Sequence, residues 1–388
     1  MTERRPVVVA LVLGALVACG DEKPPVVPTP APAATPTAVD TASPPVIAPA
    51  PPKPAPAAPA DPPLPPPKPT TISLAHTGDE KLDALLARGD EEFEAGDLVK
   101  AAATYKAAMI QAPKRSGPIV GSARVRAAKA SPNLGFAASE KSSEVIAAAK
   151  DMKRASDLEP TYGPALVELG RAYLLLGDAA NAEAALRKGT KILAEDAEAH
   201  SALGVALLAL GKTEEALSEL QRSRDLDPGS AARRGNLGTV LFMRGKVPEA
   251  IKEYEIEVRL VPDDARAHSD LGTALLAQSD FTRAIPELQR AIQLDPKRAT
   301  FRSNLGYALQ LSGKITEAIA EYRESLKLDP KLSSAWINLA TALSRDPKTR
   351  GEARQALKTA AGLDPSDPRV KANLEELDAV EKGSSRKP

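Results

Sequence analysis

Aromatic residues make up only 3% of this 388-residue sequence, and it holds a single cysteine, Cys19. One thiol excludes disulfides within the chain and zinc sites built on several cysteines. The three histidines, His76, His200 and His268, stand apart in sequence, so no metal-ligand spacing forms and no metal is expected. Neither sign of charge is in excess. The 51 basic and 51 acidic residues give a formal net charge of +0, which removes bulk attraction to nucleic acid as a reason to bind it. The apolar stretch Val7–Ala18 is twelve residues long, short of the about 20 that a membrane-spanning helix needs. No nucleophile with a partnered base can be picked out, so neither catalysis nor a cofactor is expected.

What is present is a period. Pro228, Pro262, Pro296 and Pro330 recur every 34 residues, and Gly170, Gly204, Gly238, Gly272 and Gly306 recur at the same spacing. A fixed period of this length marks stacked helical units, each burying its apolar face against its neighbours. Gly inside a helix costs about 1 kcal/mol relative to Ala, so five at one phase imply close helix approach. Gly177, Gly211, Gly245 and Gly313 fall at the turn between two helices, where a left-handed residue ends the first. Leu-Asp-Pro at 226–228, 294–296, 328–330 and 363–365 ends the second, since the residue before Pro resists α conformation.

Residue by residue, the unit from Ala265 gives His268, Leu271, Gly272, Leu275, Ala284, Leu288, Ala291 and Pro296. The next gives Arg302, Leu305, Gly306, Leu309, Ala318, Tyr322, Ser325 and Pro330. This pattern resembles the tetratricopeptide repeat, and the resemblance holds without gaps over five consecutive units. It implies an all-α solenoid of helix-turn-helix repeats in a right-handed superhelix, preceded by a disordered Pro-rich linker. About eight repeats are expected over 82–365: 82–113, a degenerate 116–160, 163–194, 197–228, 231–262, 265–296, 299–330 and 333–365. A capping helix at 366–382 should follow, carrying the apolar stripe Val370, Leu374, Leu377 and Val380, with a disordered tail at 383–388.

Departures carry their own expectations. Ala194 replaces the terminal Pro of its unit, Pro286 inside a second helix predicts a kink or a late start, and the interval Pro113–Pro160 predicts a loop near Ser131–Phe136. The segment Ala206–Thr213 fits a relaxed phosphate-loop pattern but lies across a repeat's helix and turn rather than a strand-loop-helix, so no nucleotide is expected.

At the N-terminus, Arg4 and Arg5, the short apolar stretch and Leu16-Val17-Ala18-Cys19 resemble the signal peptide and lipobox of bacterial lipoproteins. That resemblance implies removal of residues 1–18, lipid on Cys19, and a place in the bacterial cell envelope, with the outer membrane favoured by Gly20. Residues 24–70 hold 20 of the 36 prolines. Proline fixes φ and removes backbone donors, so residues 19–75 are expected to form an extended, disordered tether from lipidated Cys19 to the array.

The resemblance to tetratricopeptide repeats also implies a concave face lined by first helices. Position 6 there carries Asn236, Asp270, Asn304 and Asn338, and position 9 carries Thr239, Thr273, Tyr307 and Thr341. A row of amides and hydroxyls can bond an extended peptide, or it can simply tolerate exposure. The function implied is a non-enzymatic scaffold that binds protein segments in the envelope. Alternatives are a pilotin-like factor for secretin assembly and a binder of envelope glycan or another small ligand.

Overall fold

The computed structural model describes residues 65–66, 71–130 and 142–384. Cys19, most of the expected tether, the predicted loop near Ser131–Phe136 and the final four residues lie outside them. Among the described residues there are seventeen α-helices, one 3-10 turn and no strands.

The helices pair as hairpins: α1 Glu80–Glu94 with α2 Leu98–Gln111, α3 Ser116–Ala130 with α4 Ser143–Leu158, and α5 Gly163–Leu175 with α6 Ala179–Ile192. The regular units follow as α7 Ala197–Ala209 with α8 Thr213–Leu226, α9 Ala231–Met243 with α10 Val247–Leu260, and α11 Ala265–Ala277 with α12 Phe281–Leu294. Then come α13 Ala299–Leu311 with α14 Ile315–Leu328, and α15 Ser333–Leu343 with α16 Arg350–Leu363. The last hairpin is bridged by the 3-10 turn Pro347–Thr349, and α17 Pro368–Ser384 closes the array. Each first helix also touches the first helix of the next unit, from α1 through α17. Helices packed this closely form the inside of the curve, so the first helices line the concave face.

The glycine period is a packing requirement. A Cβ at Gly204 would lie 2.5 Å from Leu220 Cγ, and one at Gly238 would lie 2.7 Å from the Tyr254 ring. Leu220 and Tyr254 come from the second helix of the same unit, so the missing methylene is the space they fill. The turn glycines have positive φ, between 70° and 86° at Gly177, Gly211, Gly245 and Gly313. In the unit between the last two, Ser279 holds the same position at φ 60°.

Polar side chains stitch each unit to the last. His200 Nδ1 lies 2.6 Å from Glu219 and its Nε2 3.0 Å from the Ala194 carbonyl. His268 repeats this with Glu287 and Pro262. Arg234 grips Glu253 and the Pro228 carbonyl, and Trp336 donates to Pro330. Position 4 is therefore a clasp on the end of the preceding unit.

The structure bears on four features that the sequence singles out. Residues 71–75, assigned to the tether, pack into the array, with Ile72 and Leu74 fully buried. Pro286 does not delay α12, which starts at Phe281 behind the Asp280 cap; the proline lies on the exposed face. With Ala194 in place of the terminal proline, α6 still has 14 residues, the length of α8, α10, α12, α14 and α16. The capping stripe ends at Leu377, since α17 buries Val370 and Leu377 while Val380 is exposed.

Candidate functional site: the concave face

The expected row occupies the first helices α9, α11, α13 and α15, but its members sit in different environments. Asn236 is buried, donates to Ser201 Oγ at 3.3 Å and keeps an unpaired, buried Oδ1. Asn304 is half-buried and reaches Ser269 and Thr273 only at 3.4 Å each. At this length the bonds are weak. Asn338 and the Tyr307 hydroxyl, which occupy the corresponding places one unit later, make no hydrogen bond among the described residues. Both are half-buried.

The hydroxyl positions are mostly satisfied by their own helices. Thr239 donates to the Gly235 carbonyl and accepts from Tyr254, Thr273 donates to Ser269 O, and Thr341 donates to Ile337 O. Asn373 of α17 donates to Thr341 at 3.2 Å, so the capping helix reaches into the end of the row.

Asp270 interrupts the amides. Its nearest cation is Arg266 on its own helix, at 3.5 Å. Removal from water pushes its carboxyl up to about 6, against the partial relief from Arg266. Behind it, Glu257 packs into the space left by Gly235 and keeps a buried oxygen unpaired. Burial first, and the Asp270 charge second, push the Glu257 carboxyl well above the usual range. This middle stretch is acidic, with Arg266 relieving both carboxyls only in part.

The N-terminal end of the same face differs in kind. Arg124 on α3, 3% exposed, bonds Asp90 at 3.0 Å and Glu168 at 2.9 Å, with the Phe93 ring 5.3 Å from its guanidinium carbon. Arg171 continues the line to Glu198, and buried Arg233 lies between Glu198 and Asp227. Asp90, Arg124 and Arg171 fall at position 9 of their units and Glu168 at position 6, but the sequence reading followed these positions only through the regular units and so missed the relay. Among the described residues no group of three His, Cys, Asp or Glu side chains could hold a metal, and no helix is long and apolar enough to cross a membrane.

Comparison with solved structures finds the same architecture. A chain of the Cut9–Hcn1 hetero-tetramer of the APC/C superposes with a TM-score of 0.58 at 17% identity, covering 78% of this chain and 57% of that one. PilF of Pseudomonas aeruginosa matches at 0.47 and 20% identity, over 55% of this chain and 97% of PilF. YrrB, described as a TPR protein with an unusual peptide-binding site, matches at 0.39 and 23% identity, over 49% of this chain and 97% of YrrB. Only the first of these likenesses bears on the fold, and none bears on function. No curated protein matches the sequence. Tetratricopeptide repeat models match residues 142–205, 201–265, 236–299, 269–333 and 303–368. Together they span more than half of the sequence, and the chain belongs to the tetratricopeptide repeat family.

Proposed function

We propose that this protein is a non-enzymatic scaffold whose concave face, from Asp270 to Thr341, grips extended segments of partner proteins. The observation that carries this is the pair Asn338 and Tyr307, polar, half-buried and unpaired where Asn304 has neighbours to bond. A side-chain amide offers two donors and an acceptor, which is the complement of a peptide unit. Asp270 adds an acid with too little cation around it, which favours a partner segment that brings Lys or Arg. The protein is further proposed to be a lipoprotein of the bacterial envelope, held to the outer membrane through lipid on Cys19. The lipobox-like residues 16–19 and the Pro-rich stretch support that anchor.

Two substitutions test the groove. Asn338→Ala with Tyr307→Phe should weaken capture of partner proteins at least tenfold while leaving helical circular dichroism unchanged. Unchanged capture would count against this face, and recovery of soluble glycan with no protein would replace the reading with a glycan binder. For the anchor, Cys19→Ser should abolish incorporation of labelled palmitate and release the chain from membranes.

A further inference from the structure

Residues 71–77 form a non-helical segment lying in the N-terminal part of the groove, turning at His76, whose N–H donates to the Leu74 carbonyl. Ile72 and Leu74 are fully buried with exposed Ser73 between them, and Thr71 before them is buried too. Ile72 joins the core that includes Val167, Ala202 and Val205, which are concave-face positions of α5 and α7. Leu74 joins the core of Leu82, Leu86, Phe93 and Val120. The spacing of Ile72 and Leu74, two residues apart, puts both side chains on the side facing the array.

The backbone is read as well. Arg124 donates to the Ile72 carbonyl at 2.6 Å, Tyr162 to the Leu74 carbonyl at 2.5 Å, and Arg115 to the Thr77 carbonyl at 2.6 Å. The Leu74 N–H donates to Asp90 at 2.6 Å, and Thr71 donates to Glu94. Asp90, Arg124 and Tyr162 come from α1, α3 and the start of α5, so three successive repeats converge on one strand of backbone. Farther along, the Pro65 carbonyl approaches the turn between α8 and α9 so closely that a Cβ on Gly229 would lie 2.0 Å from it. Two separate stretches of the segment before α1 are thus seated against the array.

We infer that Asp90, Arg124 and Tyr162 form a second peptide-binding site, distinct from the Asp270–Thr341 face, which residues 71–77 of the same chain hold closed. Its ligand class follows from what fills it: an extended segment with two aliphatic side chains two residues apart and two carbonyls offered to Arg124 and Tyr162. Because the occupant is covalently attached, its effective concentration is high, on the order of mM for a short linker, and a free segment of equal chemistry competes poorly. The clamp is therefore autoinhibited. The inference does not depend on the proposed partner groove, which uses other helices.

The test uses a fluorescent peptide of residues 69–79 as probe. The unaltered full chain should bind it at least tenfold more weakly than a full-length Ile72→Ser, Leu74→Ser variant, in which the resident strand loses its two apolar anchors. Adding Arg124→Gln to that variant should remove the gained binding. Equal binding to the unaltered chain and the variant, or no binding to a helical variant, would overturn the proposal. Should the variant fail to fold, amide hydrogen exchange on the unaltered full chain decides. The Leu74 amide should exchange as slowly as the amides of α3, and exchange at the rate of a free peptide would overturn it.

Discussion

The two ends of the concave face are built from the same repeat yet hold their polar groups in opposite ways. From α1 to α7 buried charges are paired, with Arg124 between Asp90 and Glu168, and the chain's own residues 71–77 lie against them. From α11 to α15 the amides are half-buried and progressively less bonded, ending at Asn338, and Asp270 is short of cation. Burying a polar group without a partner costs free energy, so a fold tolerates it where something else supplies the partner. At the closed end the Arg124 charge and the Ile72 and Leu74 backbone find partners in cis, although Arg124 Nε itself stays unbonded. The open end leaves the partner to be supplied in trans.

Breaking the closed end gives the largest effect. Arg124→Ala leaves Asp90 and Glu168 facing each other in a buried site, and removing one member of such a network costs about 3–5 kcal/mol. Chemical denaturation should show that loss in the first three hairpins, with the units beyond α9 little affected, since solenoid units communicate through neighbours. A fault between the two ends separates them. Gly204→Ala places a methyl 2.5 Å from Leu220 Cγ, and overpacking of this kind costs about 1–3 kcal/mol. Its unfolding curve should split into two transitions where the unaltered chain shows stronger coupling.

The open end should respond to charge in the reverse sense. The Asp270 carboxyl is pushed up to about 6, so its charge weakens the fold above that pH, and the penalty fades as pH falls toward the ordinary carboxylate value. Asp270→Asn is expected to raise stability at pH 7.5, with the gain gone by pH 4. Water reaches a third of that side chain, which holds the gain to ~1 kcal/mol. The same substitution should weaken capture of basic partner segments, a trade of stability for binding. The smallest effect is a control in the same unit. Ser279 sits at φ 60°, where left-handed backbone costs a side chain roughly 1–2 kcal/mol, so Ser279→Gly should stabilise by up to about 1 kcal/mol without changing capture.

Much of this was legible in the chain. The glycine and proline periods locate helix pairs, turns and close contacts, because each repeat solves the same packing problem with the same residue types. Residues 71–77 escaped because one short strand has no period, and it follows a proline-rich stretch that reads as tether. The signal was there in the apolar pair Ile72 and Leu74, separated by Ser73 and preceded by Thr71. The asparagine row was legible as positions and not as chemistry. Asn236 bonds Ser201 and Asn304 bonds Ser269 and Thr273, whereas Asn338 bonds neither Ser303 nor Tyr307 at the matching positions, a difference of geometry that residue types do not reveal. The relay through Arg124 lay in the two most irregular repeats, where position-matching gives least.

The contrast between the ends is tested most directly by placing a photo-crosslinking phenylalanine derivative at Tyr162 and, separately, at Tyr307 in cells expressing the full chain. A crosslink from position 162 into residues 71–77 of the same chain, together with adducts to other proteins from position 307, is the result expected. Adducts to other proteins from position 162, or none from position 307, would contradict it.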